Sequence, residues 1–187
     1  MSEKMRCFIS FDVEDQPILR KMAEVQEALN RECGGLKLVK PENIHITMRF
    51  LGEIPSSLVD SISNVLKSVR FSPFNVKILG VGAFPNIRRP SVIWAGISDG
   101  ASELKDISEQ LESGLKKLGF KPEKRAFTPH ITIARVKSRR SKNCLMMKLL
   151  EFKDLEFGVI RAEFLRLKRS ILTPTGPIYH TLFEFSG

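Results

Sequence analysis

Two four-residue segments of this chain share a pattern, and the elements around them follow the same order twice. The segments are 45–48 (HITM) and 130–133 (HITI). Each lies in an apolar run of strand type and comes after a helical run whose apolar residues stand three and four positions apart. In both halves, a second helix and paired strands come next. This repeated order predicts an internal duplication that folds into two similar lobes.

Helical periodicity and strand-like runs place the elements along the chain. The predicted helices are 18–33, 58–69, 104–118 and 145–150. The predicted strands are 6–11, 37–39, 44–51, 74–83, 91–97 and 127–136, followed by a closing hairpin of 159–172 and 178–185. Strands joined by hairpins and interleaved with helices favour an α+β fold with mostly antiparallel sheets. We expect one domain over residues 1–187, two-lobed and pseudo-two-fold, with flanking helices, a central cleft, and approximate halves 1–88 and 89–187.

The chain carries 30 Lys and Arg against 21 Asp and Glu, so its net charge is +9. This excess favours a polyanionic partner, nucleic acid before an anionic membrane. Basic residues are concentrated in 121–142, where Arg139 and Arg140 stand side by side, and again in 161–169. We interpret these runs as a phosphate-facing surface; the alternative is a solvated loop.

Apolar run length and cysteine usage argue against the membrane and secreted classes. No segment approaches the roughly 18 consecutive apolar residues of a membrane span, so no membrane partner is expected. The three cysteines (Cys7, Cys33 and Cys144) are spaced too irregularly for a disulfide framework or a zinc motif. Their odd number and the absence of a signal peptide predict a protein of the reducing cytoplasm.

The two His-x-Thr segments carry the functional prediction. Residues two apart on a strand face the same way, so His45 lies beside Thr47, and His130 beside Thr132. Two imidazoles around a phosphodiester can act as general base and general acid, while the hydroxyls donate hydrogen bonds to its non-bridging oxygens. Neither motif contains a carboxylate or a thiol, so no metal or other cofactor is expected.

The alternative for each motif alone is structural, because histidine is often half-buried on strands and threonine is a good strand former. The duplication favours function over that alternative. His180 is followed directly by Thr181, which faces the other way, so His180 is predicted to be a non-catalytic strand residue.

The segments HITMRFLG and RAFTPHITIARV resemble the two signature motifs of the two-histidine (2H) phosphoesterase superfamily. They are most similar to the RNA 2′,3′-cyclic phosphodiesterases, historically called 2′-5′ RNA ligases. The likeness runs from RCFISFDV through VIWAGI to GPIYHTLFEF, nearly the whole chain. It implies a pseudo-symmetric two-lobed α+β fold with the motifs facing across a cleft. It also implies metal-free hydrolysis of a terminal 2′,3′-cyclic phosphate to a 2′-phosphate, with weak reverse ligation in some members.

The resemblance also implies roles for single residues. These are general acid His45, general base His130, phosphate ligands Thr47, Thr132 and Arg135, and base-stacking Phe50. Phe50 and Arg135 stand five positions after their histidines, so a regular strand would turn both away from the cleft and a bulge is needed. Arg49 has the parity to reach the cleft, either as a phosphate contact or as a surface residue.

The predicted function is therefore cofactor-free hydrolysis of 2′,3′-cyclic phosphate at single-stranded RNA ends by a cytoplasmic monomer. Candidate sources of such ends are tRNA fragments, decay fragments and mRNA ends. One alternative is an RNA-end-binding module without turnover. The other is a phosphodiesterase of the same superfamily that acts on a small cyclic nucleotide.

Overall fold

The computed structural model describes residues 3–138 and 142–187. These ranges contain four α-helices, α1 (Gln16–Cys33), α2 (Val59–Ser68), α3 (Ala101–Lys117) and α4 (Lys142–Glu151). They also contain nine strands: β1 (Lys4–Asp12), β2 (Leu36–Leu38), β3 (His45–Pro55), β4 (Phe74–Phe84), β5 (Val92–Ile97), β6 (His130–Val136), β7 (Glu156–Ala162), β8 (Phe164–Thr173) and β9 (Gly176–Ser186). Short 3-10 turns occupy Pro41–Asn43 and Ser56–Leu58.

The strands form a single curled antiparallel sheet with the order β7-β4-β5-β6-β3-β1-β8-β9, and β2 pairs with β6. This confirms the predicted α+β class. The two motif strands, β3 and β6, are neighbours at the centre of the sheet. In the described part of the chain they share one ladder pair, Ile46 opposite Ile131, whereas β1 and β3 share nine pairs. Ile46 and Ile131 are both fully buried, so the motif histidines and threonines project from the opposite face.

Each side of the sheet combines strands from both halves of the sequence. On one side, β3 pairs with β1, β1 pairs with β8, and β8 pairs with β9; β8 and β9 come from the end of the chain. On the other side, β4 pairs with the later strands β5 and β7. The two sides therefore do not coincide with residues 1–88 and 89–187, and the internal duplication stays a prediction.

Helix α1 illustrates how the apolar pattern positions the core. It begins after Asp15, whose carboxylate accepts the backbone N–H of Ile18 at 2.9 Å, and it ends at Gly34 with φ of +65°. Its buried face includes Ile18, Met22, Val25 and Leu29, each worth about 1.5–3 kcal/mol of apolar burial. Helix α1 packs against α4, β6 and β7, while α2 and α3 pack together beside β9 and β3. None of the helices in the described ranges is long and apolar enough to cross a bilayer.

The prediction of a single strand over 159–172 is wrong, because this segment forms parts of two strands. Strand β7 ends at Ala162 and pairs with β4, while β8 begins at Phe164 and pairs with β1 and β9. The two strands lie near opposite edges of the sheet. Apolar residues continue through the break at Glu163, so local pattern alone does not show the change of partner.

The prediction that the cysteines form no disulfide is also wrong. Cys33 and Cys144 are bonded, with their Cα atoms 5.6 Å apart and a sequence separation of 111, while Cys7 is free and buried. The bond joins the last residue of α1 to the first turn of α4. The spacing of the cysteines in the sequence did not indicate this bond, because only the tertiary fold brings the ends of α1 and α4 together. Cysteine usage therefore gives no support for a reducing compartment.

Candidate active site

The two motif strands have the same burial pattern over the six positions that begin at the histidine. In each, the histidine and the threonine are partly exposed, the residue between them is buried, and the two residues after the threonine are buried. The sixth position, Phe50 in β3 and Arg135 in β6, is exposed. Two consecutive buried residues break the strict alternation of a strand. The identical break in both strands indicates a shared irregularity.

That irregularity is a β-bulge at the third residue after each histidine. The register opposite β1 skips Met48, and the register opposite β5 skips Ile133. An extra residue on one strand reverses the facing of everything that follows it. The bulges therefore return Phe50 and Arg135 to the face that carries the histidines, and both residues line the central cavity. The geometric condition for the predicted roles of Phe50 and Arg135 is thus met.

The same bulge turns Arg49 away from the cavity, so the expectation that its parity would bring it to the cleft is wrong. Arg49 is 8% exposed, and its Nε lies 2.7 Å from Glu112 of α3. Its guanidinium also contacts the carboxylate of Glu123 and donates to the backbone carbonyl of Lys121. Arg49 ties β3 to α3 and to the loop that follows α3.

Both catalytic candidates are oriented by the carbonyl two residues earlier. Nδ1 of His45 lies 2.7 Å from the carbonyl oxygen of Asn43, and Nδ1 of His130 lies 2.7 Å from that of Thr128. A carbonyl only accepts, so each Nδ1 carries the proton and each Nε2 has a free lone pair in the neutral ring. Nε2 of His45 lies 2.8 Å from the hydroxyl of Thr47. Each ring therefore keeps Nε2 as the nitrogen for proton transfer.

Burial lowers the pKa of both histidines below the ordinary value of 6.5. For His45, the hydrogen bond to Asn43 and the carboxylate of Asp12 oppose this effect, while the charges of Lys168 and His130 lower the pKa further. For His130, the hydrogen bond to Thr128 opposes burial. Burial therefore favours the neutral form of both rings before an anion binds.

Aromatic side chains pack against each imidazole. Phe8 lies 4.9 Å from His45, and Phe84 lies 4.9 Å from His130, measured between ring centroids. Tyr179 lies 5.5 Å from His45 and 4.8 Å from Phe8. Sequence reasoning missed Tyr179, although it belongs to the closing segment GPIYHTLFEF. His180, its neighbour, is exposed on β9 and lies outside the cavity lining.

The central cavity has a volume of about 890 Å³. Of the predicted residues, His45, Thr47, Phe50, Thr132 and Arg135 line it, whereas His130 lies outside its lining. The remaining wall includes four cations, two aromatic rings and two proline rings. The cations are Arg6, Lys37, Lys40 and Lys137, and Glu53 is the acid among the lining residues. Burial raises the pKa of Tyr179, and the nearby positive charges of Arg135 and Arg6 oppose that rise. Sequence reasoning missed Arg6, Lys37 and Lys40, which have no local signal.

The second predicted basic run does not form a free phosphate-facing surface. Arg166 pairs with Asp12, Glu14 and Glu184, and Lys168 pairs with Asp12 at 2.5 Å. Arg169 pairs with Glu3 at 2.7 Å. These three cations are paired with carboxylates of the protein, so the prediction is wrong for them, while Arg161 of the same run is exposed. Arg139 and Arg140 of the first run lie outside the described residues.

A family model for LigT like phosphoesterases matches residues 13–94 and 96–179. The chain belongs to the LigT-like phosphoesterase family. A protein of Aeropyrum pernix named RNA 2′,3′-cyclic phosphodiesterase is 42% identical to this LigT-like chain over 164 residues, which is 88% of this chain and 93% of that protein. A protein of Archaeoglobus fulgidus with the same name is 38% identical over 187 residues, 97% of this chain and 99% of that protein.

Solved structures share the fold of this LigT-like phosphoesterase. The crystal structure of TT0787 of Thermus thermophilus superposes with a TM-score of 0.81 at 28% identity and covers 97% of both chains. The crystal structure of E. coli LigT complexed with 3′-AMP gives a TM-score of 0.78 at 20% identity and covers 98% of both chains. The predicted relationship to the two-histidine superfamily and the predicted fold class are both confirmed.

Proposed function

We propose that this LigT-like phosphoesterase hydrolyses RNA ends that carry a 2′,3′-cyclic phosphate and leaves a 2′-phosphate, by two-histidine acid–base catalysis without a metal. The observation that carries this proposal is the matched pair of imidazoles, each held through Nδ1 and each two residues from a threonine, beside a cavity rich in cations. The names of the relatives from Aeropyrum pernix and Archaeoglobus fulgidus support the same substrate.

In this mechanism His130 acts as the general base. Its Nε2 accepts a proton from water as the water oxygen bonds to phosphorus. The bond between phosphorus and the 3′ oxygen breaks, and Nε2–H of protonated His45 gives its proton to that oxygen. The product carries a 2′-phosphate and a 3′-hydroxyl. Loss of a proton from His130 and uptake of one by His45, both through solvent, restore the starting state.

The assignment of His45 as the acid is supported by its charged surroundings. Burial lowers the pKa of His45, and the charges of Lys168 and His130 lower it further, whereas the carbonyl of Asn43 and the carboxylate of Asp12 favour the protonated ring. The cyclic phosphate brings a negative charge that raises the pKa of His45 once the substrate is bound. The base, His130, has the carbonyl of Thr128 as its favourable contact.

Thr47 and Thr132 are proposed to donate hydrogen bonds to the non-bridging phosphate oxygens, where negative charge increases in the transition state. Arg135 supplies a positive charge at the same group. Phe50, which is 57% exposed at the cavity, stacks on the terminal base. A base must be unpaired to stack in this way, which favours single-stranded ends. Monomeric state, cytoplasmic location, tRNA fragments as substrates and weak reverse ligation stay predictions.

The test uses an oligoribonucleotide that ends in 2′,3′-cyclic phosphate, incubated with the protein in excess EDTA. We expect full turnover, with a 2′-phosphate as the terminal group, and a large loss of turnover in His45→Ala and His130→Ala. Activity that disappears with EDTA and returns with Mg²⁺ or Mn²⁺ would contradict the metal-free mechanism. Binding without product would favour the RNA-binding alternative. Preference for a 3′,5′-cyclic mononucleotide would favour the small-substrate alternative.

A further inference from the structure

Three cations project from one face of the ladder between β2 and β6. Lys37 stands directly opposite Arg135 in this ladder. The backbone N–H of Lys137 extends the ladder by donating to the carbonyl of Gly35 at 2.8 Å. Opposed residues share a face, as do residues two apart on one strand, and all three cations line the cavity.

Like charges in directly opposed positions are unfavourable for a sheet. In residues 3–138 and 142–187, no ion pair compensates Lys37, Arg135 or Lys137, and no metal-ligand cluster of His, Cys, Asp and Glu is present. In contrast, Arg49 and Arg166 are each paired with two or more carboxylates. These three cations therefore bring positive charge that no carboxylate of the described residues compensates to one wall of the cavity, as expected if an anion binds there.

The terminal cyclic phosphate alone does not account for this charge. It carries one negative charge, and the proposed mechanism already surrounds it with two histidines, two threonines and Arg135. Lys137 lies two residues beyond Arg135, about 7 Å farther from His130 along the strand. This step is comparable with the spacing of successive phosphates in an extended RNA strand. Lys37 and Lys137 are thus placed for a second phosphate.

The β3 side of the cavity has the opposite character. The bulge makes Phe50 the counterpart of Arg135, and a second register shift, at Leu51, places Gly52 opposite Cys7 and Glu53 opposite Arg6. Phe50 and Gly52 are uncharged, and Glu53 beside them also lines the cavity. A nucleotide therefore fits with its base toward β3 and its backbone toward β6 and β2.

We propose that Lys37 and Lys137 bind the phosphate on the 5′ side of the terminal nucleotide, so that the cavity recognises the first internucleotide linkage of an RNA 3′ end. This inference rests on the proposed function. It extends the substrate from a cyclic phosphate group to a nucleotide that carries phosphates on both sides. The chain thereby selects RNA ends over free nucleoside 2′,3′-cyclic phosphates.

The test compares adenosine 2′,3′-cyclic phosphate with the same compound carrying a 5′-phosphate. For the unmodified protein, kcat/KM is expected to be about tenfold higher with the 5′-phosphate, the effect of one charge-assisted contact. The slope of log kcat/KM against log salt is expected to be steeper by about 0.7 with the 5′-phosphate, as for one single-strand phosphate contact.

Double substitution Lys37→Gln/Lys137→Gln is expected to reduce this tenfold ratio to about 1–2, because it removes the contact on which the preference rests. The matched control is Lys105→Gln/Lys117→Gln. It removes the same charge from exposed positions on α3, outside the cavity lining, and should keep the ratio. The Kd ratio of the two compounds, measured with His130→Ala, gives the same comparison without turnover.

Equal kcat/KM for the two compounds in the unmodified protein overturns the second-phosphate site and leaves the proposed function intact. A preference that survives Lys37→Gln/Lys137→Gln also overturns it, because another group then binds the 5′-phosphate. Absence of turnover with both compounds and with an oligoribonucleotide that ends in 2′,3′-cyclic phosphate contradicts the proposed function instead. In that case a Kd ratio that depends on Lys37 and Lys137 still supports the site, and a ratio of 1 overturns it.

Discussion

Arg49 and Arg135 provide a paired test, because the bulges direct one into the protein and the other to the cavity. Arg49→Met removes the charge and keeps most of the side-chain length. The substitution leaves Glu112 and Glu123, whose side chains are 29% and 50% exposed, without their partner. Loss of one partner from a fully buried pair costs about 3–5 kcal/mol, and partial exposure of both carboxylates reduces this to about 2–3 kcal/mol. For a chain of this size, Tm should fall by about 4–12 °C.

The assay measures Tm and, at 25 °C, kcat/KM with an oligoribonucleotide ending in 2′,3′-cyclic phosphate. Arg49→Met should retain kcat/KM within about threefold, because the folded fraction stays high at that temperature. Arg135→Met should show the reverse. Its side chain is exposed, so Tm should change by less than about 2 °C, while loss of a charge at the phosphate should lower kcat/KM about 10²-fold.

A loss of about 10²-fold in kcat/KM for Arg49→Met with an unchanged Tm would refute this reasoning. It would place Arg49 at the phosphate and show that the bulge does not reverse the facing of β3. A large fall in Tm for Arg135→Met with normal kcat/KM would refute the corresponding statement for β6.

Three further predictions concern the histidines and the disulfide. In steady-state kinetics, His45→Ala and His130→Ala should each lower kcat about 10²- to 10⁴-fold. The double variant should lose far less than the product of the two single losses, and His180→Ala should retain wild-type activity. Burial lowers the pKa of His45 and of His130, so kcat/KM should peak below pH 6.5 and fall at higher pH as His45 deprotonates. A bound phosphate raises the pKa of the histidines, so the optimum of kcat should lie at higher pH than that of kcat/KM. A kcat/KM that rises steadily to pH 9 would contradict this prediction. Cys33→Ser/Cys144→Ser should unfold about 5–15 °C lower in a thermal melt, because the bond closes a long loop, and an unchanged Tm would show that it adds no stability.

The faces of His45, Thr47, His130 and Thr132 were predictable because the two-residue period of a strand is a local property. The facing of Phe50 and Arg135 was not, since a bulge is defined by the register against a neighbouring strand. The resemblance to a family implied roles for both residues at the cleft. The alternation of a regular strand predicted instead that both face away from it. The same bulge explains Arg49. In a regular strand Arg49 would face the cavity, but the bulge turns it toward Glu112 and Glu123.

Long-range features were likewise hidden from local pattern. The Cys33–Cys144 bond and the separate partners of β7 and β8 depend on which elements meet in space. Charge runs were informative only where no carboxylate lies nearby, as Arg166 shows with its three acidic partners. Lys37 lines the cavity because its short strand β2 pairs with β6, a contact between segments about 100 residues apart.

The single ladder pair between β3 and β6, Ile46 opposite Ile131, has a mechanical consequence. Within the described chain, nine pairs join β1 to β3 and five join β5 to β6, so each histidine lies in a well-paired group of strands. The two groups meet at one pair. A rotation about this single pair would change the separation of the imidazoles and would leave the hydrogen bonds within each group of strands intact. A phosphate bound by Thr47 in one group and by Thr132 in the other would hold the two groups together. The substrate itself would then set the distance between the two imidazoles that transfer its protons.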